Sequence, residues 1–154
     1  MSDIEPISEK ILQAMERYGR LPNIELAAKV GLSPSACLRR VQELERRGII
    51  RGYRAVIDRS KIAPLVTVFV MIGLSAQKRE DALAFERAME AARAVKECHN
   101  IAGNEEYLLR VEVEDLEAYK RFHADVLGVQ PQVANVTSYF RLSTSTDRRN
   151  HLTS

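Results

Sequence analysis

Arginine side chains are concentrated in one stretch of this chain, between Ser33 and Arg59. That stretch holds seven arginines and only three carboxylates, whereas the whole chain has a net charge of only +2. A guanidinium group can donate two parallel hydrogen bonds to O6 and N7 of guanine, and it also binds phosphate oxygens. The local charge therefore indicates an anionic partner, and double-stranded DNA fits it. The near-neutral total argues against a histone-like polycation.

The first of these arginines lie in a segment with helix-turn-helix spacing. In residues 23–42, NIELAAKVGLSPSACLRRVQ, Ala27 is small where two helices must cross closely, and Gly31 permits a left-handed turn. The Ser-Pro pair that follows provides an N-cap and a first helical residue. A third helix is therefore predicted from this pair to about Arg47, with a stop at Gly48.

The predicted third helix has one apolar side and one polar side. Cys37, Val41 and Leu44 form its inner stripe, with Leu38 beside them, and the opposite stripe faces outward. A recognition helix enters the major groove with its first turns nearest the base edges, whereas basic residues further along suit phosphates. The predicted DNA contacts are Asn23, Ser33, Pro34, Ser35, Arg39, Arg40, Gln42, Arg46, Arg47, Arg51 and Arg54.

Within that set, Ser35, Arg39 and Gln42 are predicted to face the bases, and Arg40 lies at the flank of the stripe. The last four arginines of the set are better placed for phosphates. The alternative interpretation is an arginine-rich, solvated helix that binds nothing.

A second candidate site is the loop of residues 102–107, AGNEEY. Gly103 allows a ligand to approach the backbone closely and is predicted to adopt a positive φ. Asn104 and Glu106 offer an amide and a carboxylate to the two ends of a zwitterion. A plain hairpin turn with solvated acids is the alternative interpretation of the same residues.

Catalytic and metal-binding patterns are not found in the sequence. His99, His123 and His151 lack metal-ligand spacing, and Cys98 beside His99 is a lone pair in a predicted strand. No glycine-rich phosphate-binding motif occurs. The chain is therefore not expected to be an enzyme, and neither a metal nor a cofactor is expected, apart from an amino-acid effector of unknown identity.

Composition favours an ordinary folded protein of 154 residues, with 45% apolar and 29% charged residues. The acidic start MSDIEPISEK lacks a signal-peptide pattern, and the longest apolar stretch, Ala63 to Leu74, is too short to cross a bilayer. Two distant cysteines suit a reduced compartment. The expected location is the cytoplasm, in association with the nucleoid, without membrane contact.

Helix signals and a linker divide the chain. Ser8 is a candidate cap for the first helix, with Ile7 and Leu12 at the spacing of a hydrophobic staple, and Gly19 ends that helix. A second helix is predicted to start near Pro22. Residues 49–57 are predicted to form a small β-ribbon or an extended arm. The predicted domains are residues 1–57 and 65–154, joined by a linker at 58–64.

The remainder of the chain alternates between strand and helix patterns. The order β-α-β-β-α-β over about eighty residues is the split-βαβ or ferredoxin-like motif, so the fold class is α+β. In the second helix of this unit the predicted inner residues are Leu116, Tyr119, Phe122 and Val126, after a cap at Asp115.

Both halves of the chain resemble the Lrp/AsnC, or feast/famine, family of transcriptional regulators. Residues 8–58 resemble the family's N-terminal half, and the string GLSPSACLRRVQELE within them is highly specific. In the second half, ECHNIAGNEEYLLRVEVEDLEAYKRF resembles the family's effector domain. The resemblance extends from about Ile4 to Leu142.

This resemblance implies a winged helix-turn-helix joined to a ferredoxin-like domain that forms dimers through its sheet. Family dimers often assemble into tetramers or octamers, and they bind amino acids or related metabolites between dimers. The family often has aspartate at positions 104 and 106, and threonine at 136 and 138. Carried over to this chain, the effector-binding residues are Ala102, Gly103, Asn104, Glu106, Tyr107 and Ser138.

The resulting prediction is a sequence-specific DNA-binding regulator that responds to an amino acid. Two alternatives belong to other classes. One is an architectural, nucleoid-compacting protein that wraps DNA without a ligand. The other is an enzyme or metabolite-binding module whose helical domain only mediates contacts, and the absence of a catalytic constellation argues against it.

Overall fold

The computed structural model of the chain describes residues 4–76 and 78–146. The chain divides into two compact units, with the boundary between Val56 and Ile57. Residues 58–64, predicted to be a linker, group with the second unit, and Arg59–Lys61 form a short 3₁₀ turn there. Within the described ranges, no helix has the length and apolar content that a membrane crossing requires.

Three helices make up the first unit: α1 (Pro6–Tyr18), α2 (Asn23–Val30) and α3 (Pro34–Arg46). Local signals set most of their ends. Gly31 follows α2 in the left-handed conformation, with φ of 73°, and the Ser33 hydroxyl caps α3. The turn between α2 and α3 is therefore the one that the sequence predicts.

The start of α1 differs from the prediction. The helix begins at Pro6, two residues before the expected cap, and Ser8 lies buried in its first turn. Proline suits the first helical position because its fixed φ is helical and its missing N–H would be unpaired there. Ile7 and Leu12 consequently lie inside the helix and pack against the core instead of bracketing a cap.

The core of the first unit lies where the three helices meet. Ile11 of α1, Ala27 of α2, and Cys37 and Leu44 of α3 are all buried in it. The predicted inner stripe of α3 is confirmed, except that Leu38 is exposed. After Gly48, residues 51–58 form neither helix nor strand and are exposed. The prediction of a β-ribbon is therefore wrong, and the alternative prediction of an arm agrees with the structure.

The second unit is a four-stranded antiparallel sheet with helices on one face. Its elements are β1 (Val66–Leu74), α4 (Arg79–Ala91), β2 (Val95–Asn100), β3 (Tyr107–Val113), α5 (Leu116–Phe122) and β4 (Val133–Phe140). The strand order is β2-β3-β1-β4, which confirms the ferredoxin-like expectation. In β3, alternate residues from Tyr107 to Val113 are buried against the helices.

The helix after β3 departs from the predicted stripe. Asp115 caps α5 by accepting from Ala118 N at 2.7 Å, as expected, but Leu116 is 64% exposed. A π-helical turn, His123–Leu127, then inserts an extra residue, so that Leu127 is fully buried and Val126 only half-buried. A stripe with a 3.6-residue period cannot anticipate that shift.

Cys37→Ser tests the packing of α3. Cys37 is fully buried, and burial raises the pKa of its thiol. The variant should lower the free energy of unfolding by about 1 kcal/mol or more, because the new hydroxyl would be buried without an assured partner. Chemical denaturation measures this, with Cys98→Ser at an exposed position as the control. Rapid labelling of Cys37 in the native protein would contradict the assigned helix face.

Candidate nucleic-acid interface and effector loop

One side of α3 presents polar and basic side chains to solvent. Ser35, Arg39, Gln42 and Arg46 are all exposed, opposite the buried Cys37. Their outward orientation agrees with the prediction, and it follows from the helical period once the inner stripe is buried. The arrangement can present hydrogen-bond donors and positive charge to a groove about as wide as a helix.

The first turn of α3 is held by side chains that were predicted to contact DNA. The Ser33 hydroxyl accepts a hydrogen bond from Ala36 N at 3.3 Å, and Asn23 Nδ2 donates to the carbonyl of Pro34 at 2.8 Å. The Asn23 amide thus joins the start of α2 to the start of α3. The role that the structure shows for Asn23 is to fix α3 against α2, which the sequence spacing did not indicate.

Two of the predicted phosphate-binding or flanking arginines are engaged in ion pairs. Arg46 donates to both oxygens of Glu43, at 2.7 to 3.0 Å, and this hydrogen-bonded partner and its charge raise the pKa of Arg46. Arg40 is paired with Glu5, the residue before α1. Exposed ion pairs of this kind contribute little to stability, so a phosphate can displace the Glu43 carboxylate from Arg46 at little cost.

Arg40 is the weaker candidate of the two for a contact with DNA. Its side chain is 31% exposed and reaches back to a residue at the start of α1, away from the outward stripe. The structure therefore assigns it a contact within the first unit. The sequence offered no signal for this pair, because Glu5 lies thirty-five positions earlier.

The arm after α3 is tied to that helix by one hydrogen bond. The Tyr53 hydroxyl donates to Glu45 Oε1 at 2.6 Å. This hydrogen bond, with smaller effects from burial and from the carboxylate charge, raises the pKa of Tyr53 to about 12. Arg51 and Arg54 flank Tyr53 and are exposed, so the bond holds two basic side chains near the end of α3.

In the second unit, residues 101–106 connect β2 to β3, and Ala102, Gly103 and Asn104 are exposed there. The expectation for Gly103 is wrong in one respect, because its φ does not lie in the left-handed region. A Cβ at this position would lie 4.0 Å from its nearest neighbour, the Glu105 carbonyl oxygen. Neither backbone conformation nor space within the chain therefore requires glycine.

Glu106 links the loop to the end of β1. One carboxylate oxygen accepts a hydrogen bond from Leu74 N at 2.7 Å, and Glu106 N donates to the Ile72 carbonyl at 3.0 Å. The side chain thus continues the β1–β3 pairing past its last backbone pair. An ionised carboxylate has about four acceptor sites, so this bond leaves capacity for a ligand's ammonium group.

Two residues assigned to the effector site have side chains that point elsewhere. Tyr107 is buried, its ring packs against that of Phe85 at an angle of 45°, and its hydroxyl donates to Glu86 Oε1 at 2.7 Å. Ser138 lies in β4, separated from β3 by β1, and its hydroxyl is 2.5 Å from that of Tyr119. Strand alternation places both side chains on the face covered by helices, so the assignment of Tyr107 and Ser138 to the effector site stays a prediction.

The residues considered for metal or nucleophilic chemistry are not assembled into a site. In the part of the chain that the structure describes, no three His, Cys, Asp or Glu side chains are grouped to hold a metal. Cys98 is exposed, but partial desolvation by its neighbours, followed by the charge of Glu86, raises the pKa of its thiol to about 11, so the thiol is protonated at neutral pH. His99 Nε2 lies 3.3 Å from Glu97 Oε2. His151 falls outside the described residues.

Family models match both units of the chain. A winged helix-turn-helix DNA-binding model matches residues 4–51, and an Lrp/AsnC ligand-binding domain model matches residues 67–150. The leucine-responsive regulatory protein of Escherichia coli K12 is 35% identical over 137 residues, which cover 89% of this chain and 84% of that protein.

Solved structures give the same result. A transcriptional regulator from Neisseria meningitidis, crystallised as a complex with L-methionine, superimposes with a TM-score of 0.88 at 30% identity, over 97% of this chain and 94% of that one. An AsnC-family transcriptional regulator from Agrobacterium tumefaciens gives a TM-score of 0.86 at 32% identity, over 94% of each chain.

Proposed function

The chain belongs to the Lrp/AsnC family of DNA-binding transcriptional regulators, and on that premise we propose that it recognises particular DNA sequences under the control of an amino acid. The outward face of α3 is the observation that supports recognition of particular DNA sequences. Ser35 and Arg39 lie in its first two turns, where a recognition helix meets base edges. The Arg39 guanidinium group can donate two parallel hydrogen bonds to guanine.

The remaining basic residues fit a positioning role on the phosphates. Arg47 follows the end of α3, and Arg51 and Arg54 lie in the arm that Tyr53 ties to that helix. Contacts of this kind set register and affinity but carry no sequence information. Binding should therefore weaken as salt rises, because each phosphate contact releases counterions.

The amino-acid response is supported by the ligand-binding family model, by the leucine-responsive relative and by the relative crystallised with L-methionine. In this chain the exposed part of the loop offers Asn104, and Glu106 adds a carboxylate that is half-buried at the loop's end. A carboxylate held in place by Leu74 N can receive an ammonium group without first being ordered.

Assembly into dimers, and further into tetramers or octamers, belongs to the same proposal. Phe69 and Tyr139 are exposed neighbours on the sheet face that carries no helix. On the same face, Thr67 Oγ1 and Arg110 Nε are buried without a hydrogen-bond partner among the described residues. Buried polar atoms usually have hydrogen-bond partners, so a second copy of the chain that covers this face would supply partners for these two atoms.

Arg39→Ala tests base recognition. On a duplex enriched from a random-sequence library, the variant should lose about 1–3 kcal/mol of binding free energy, and on random DNA much less. Titration of both duplexes measures the difference, with Arg121→Ala, at an exposed position on α5, as the matched control. Equal losses on both duplexes would assign Arg39 to a phosphate and favour the architectural function.

Glu106→Gln tests the effector site. A thermal-shift screen with the twenty amino acids and common 2-oxo acids identifies the ligand, because binding to the native state raises apparent stability. Glutamine retains an oxygen for Leu74 N but loses the charge, so stability should hold while ligand binding weakens. An unaltered ligand response would remove Glu106 from the site. No response of the wild type to any compound would contradict the amino-acid control.

Phe69→Glu tests the assembly surface. A charge at the centre of the face without helices should shift sedimentation toward monomer, because burying an unpaired carboxylate is costly. Leu116→Glu, at an exposed position on α5, is the control and should sediment like the wild type. Wild-type sedimentation of Phe69→Glu would show that this face is not the interface.

A further inference from the structure

Leu38 is an exposed aliphatic residue on the recognition helix. It retains 46% of its accessible surface, whereas Cys37 and Leu44 on the inner stripe of the same helix are almost fully buried. The apolar residues around it in α3, Ala36, Cys37, Val41 and Leu44, are all buried or half-buried. The packing of the first unit therefore leaves almost half of the Leu38 side chain uncovered.

The place of Leu38 in α3 puts it among the residues proposed to read bases. It follows Ser35 by three positions and precedes Gln42 by four, and residues at these spacings are neighbours on a helix surface. Arg39 is its chain neighbour. All four lie in the first three turns of α3, the part that approaches base edges in a helix-turn-helix.

The arm after α3 is anchored to the helix at a distance from Leu38. Glu45 lies seven residues further along, on the same side of the helix, and it is Glu45 that binds the Tyr53 hydroxyl. Seven residues correspond to about two helical turns, or roughly 10 Å. The arm is thus anchored toward the end of α3, and Leu38 stays exposed near its beginning.

We propose that Leu38 reads a thymine by contact with its 5-methyl group, next to the base pair that Arg39 reads. This inference rests on the proposed sequence-specific function. The thymine methyl is the apolar group that a base pair presents in the major groove, and cytosine lacks it. Joining leucine and methyl removes two apolar surfaces from water, so the contact favours A·T over G·C at one position.

The surroundings of Leu38 favour a base contact over a protein partner. Its neighbours on the outward side are a serine, a glutamine and an arginine, Ser35, Gln42 and Arg39. A protein docking patch needs several contiguous apolar side chains. One leucine within a polar, basic surface matches the mixture of hydrogen bonds and methyl contacts by which a major groove is read.

Deoxyuridine substitution provides a direct test, since it removes the thymine methyl and retains the base pair. The probe is the duplex enriched by the wild-type protein from a random-sequence library, with each thymine replaced in turn. At the thymine that each copy of α3 contacts, wild-type affinity should fall about fourfold, which corresponds to the free energy of burying one methyl group. Leu38→Ala should bind the thymine duplex and the deoxyuridine duplex equally. Leu38→Met should retain most of the preference for the thymine duplex.

Leu116→Ala is the matched control, because this leucine is exposed on α5, and it should keep the wild-type response. Circular dichroism verifies that Leu38→Ala is folded. Equal sensitivity of the wild type and Leu38→Ala at every thymine would overturn the role of Leu38 and leave the sequence-specific function standing. A changed sedimentation of Leu38→Ala would assign the side chain to a protein contact instead. Failure of the wild type to enrich any sequence would overturn the proposed function and this inference together.

Discussion

The first unit depends on the burial of one side of α3 against α1 and α2. Cys37 and Leu44 occupy the core with Ile11 and Ala27, and the left-handed Gly31 sets the angle at which α3 leaves α2. Once that side is fixed, the helical period places the polar stripe outward. The base-reading and phosphate-binding roles proposed for the other side all follow from this one constraint.

In the second unit, strand alternation has the same organising effect. It directs the Tyr107 side chain into the core and leaves its neighbour Glu106 at the boundary between sheet and loop. The bond from Leu74 N then holds the Glu106 carboxylate in place. An effector site at this loop would therefore combine a fixed acceptor, the Glu106 carboxylate, with exposed backbone at Gly103.

Features encoded by neighbouring residues could be predicted from the sequence, whereas those that depend on distant partners could not. Ser33 and Asp115 cap their helices through bonds within three residues, and both caps are confirmed. The pairs Tyr53–Glu45 and Glu106–Leu74 join residues brought together only by folding. The exposure of Leu38 also escaped prediction, because apolar character places a residue near the core stripe without stating which neighbours cover it.

The central claim is that the outward face of α3 selects DNA sequence and does more than attract phosphates. The most direct measurement compares affinity for the enriched duplex with affinity for a scrambled duplex of the same composition, across a series of salt concentrations. Sequence recognition predicts a ratio of about a thousand or more that persists as salt weakens both complexes. A ratio near one at every salt concentration would contradict it and would indicate an architectural protein held by phosphate contacts alone.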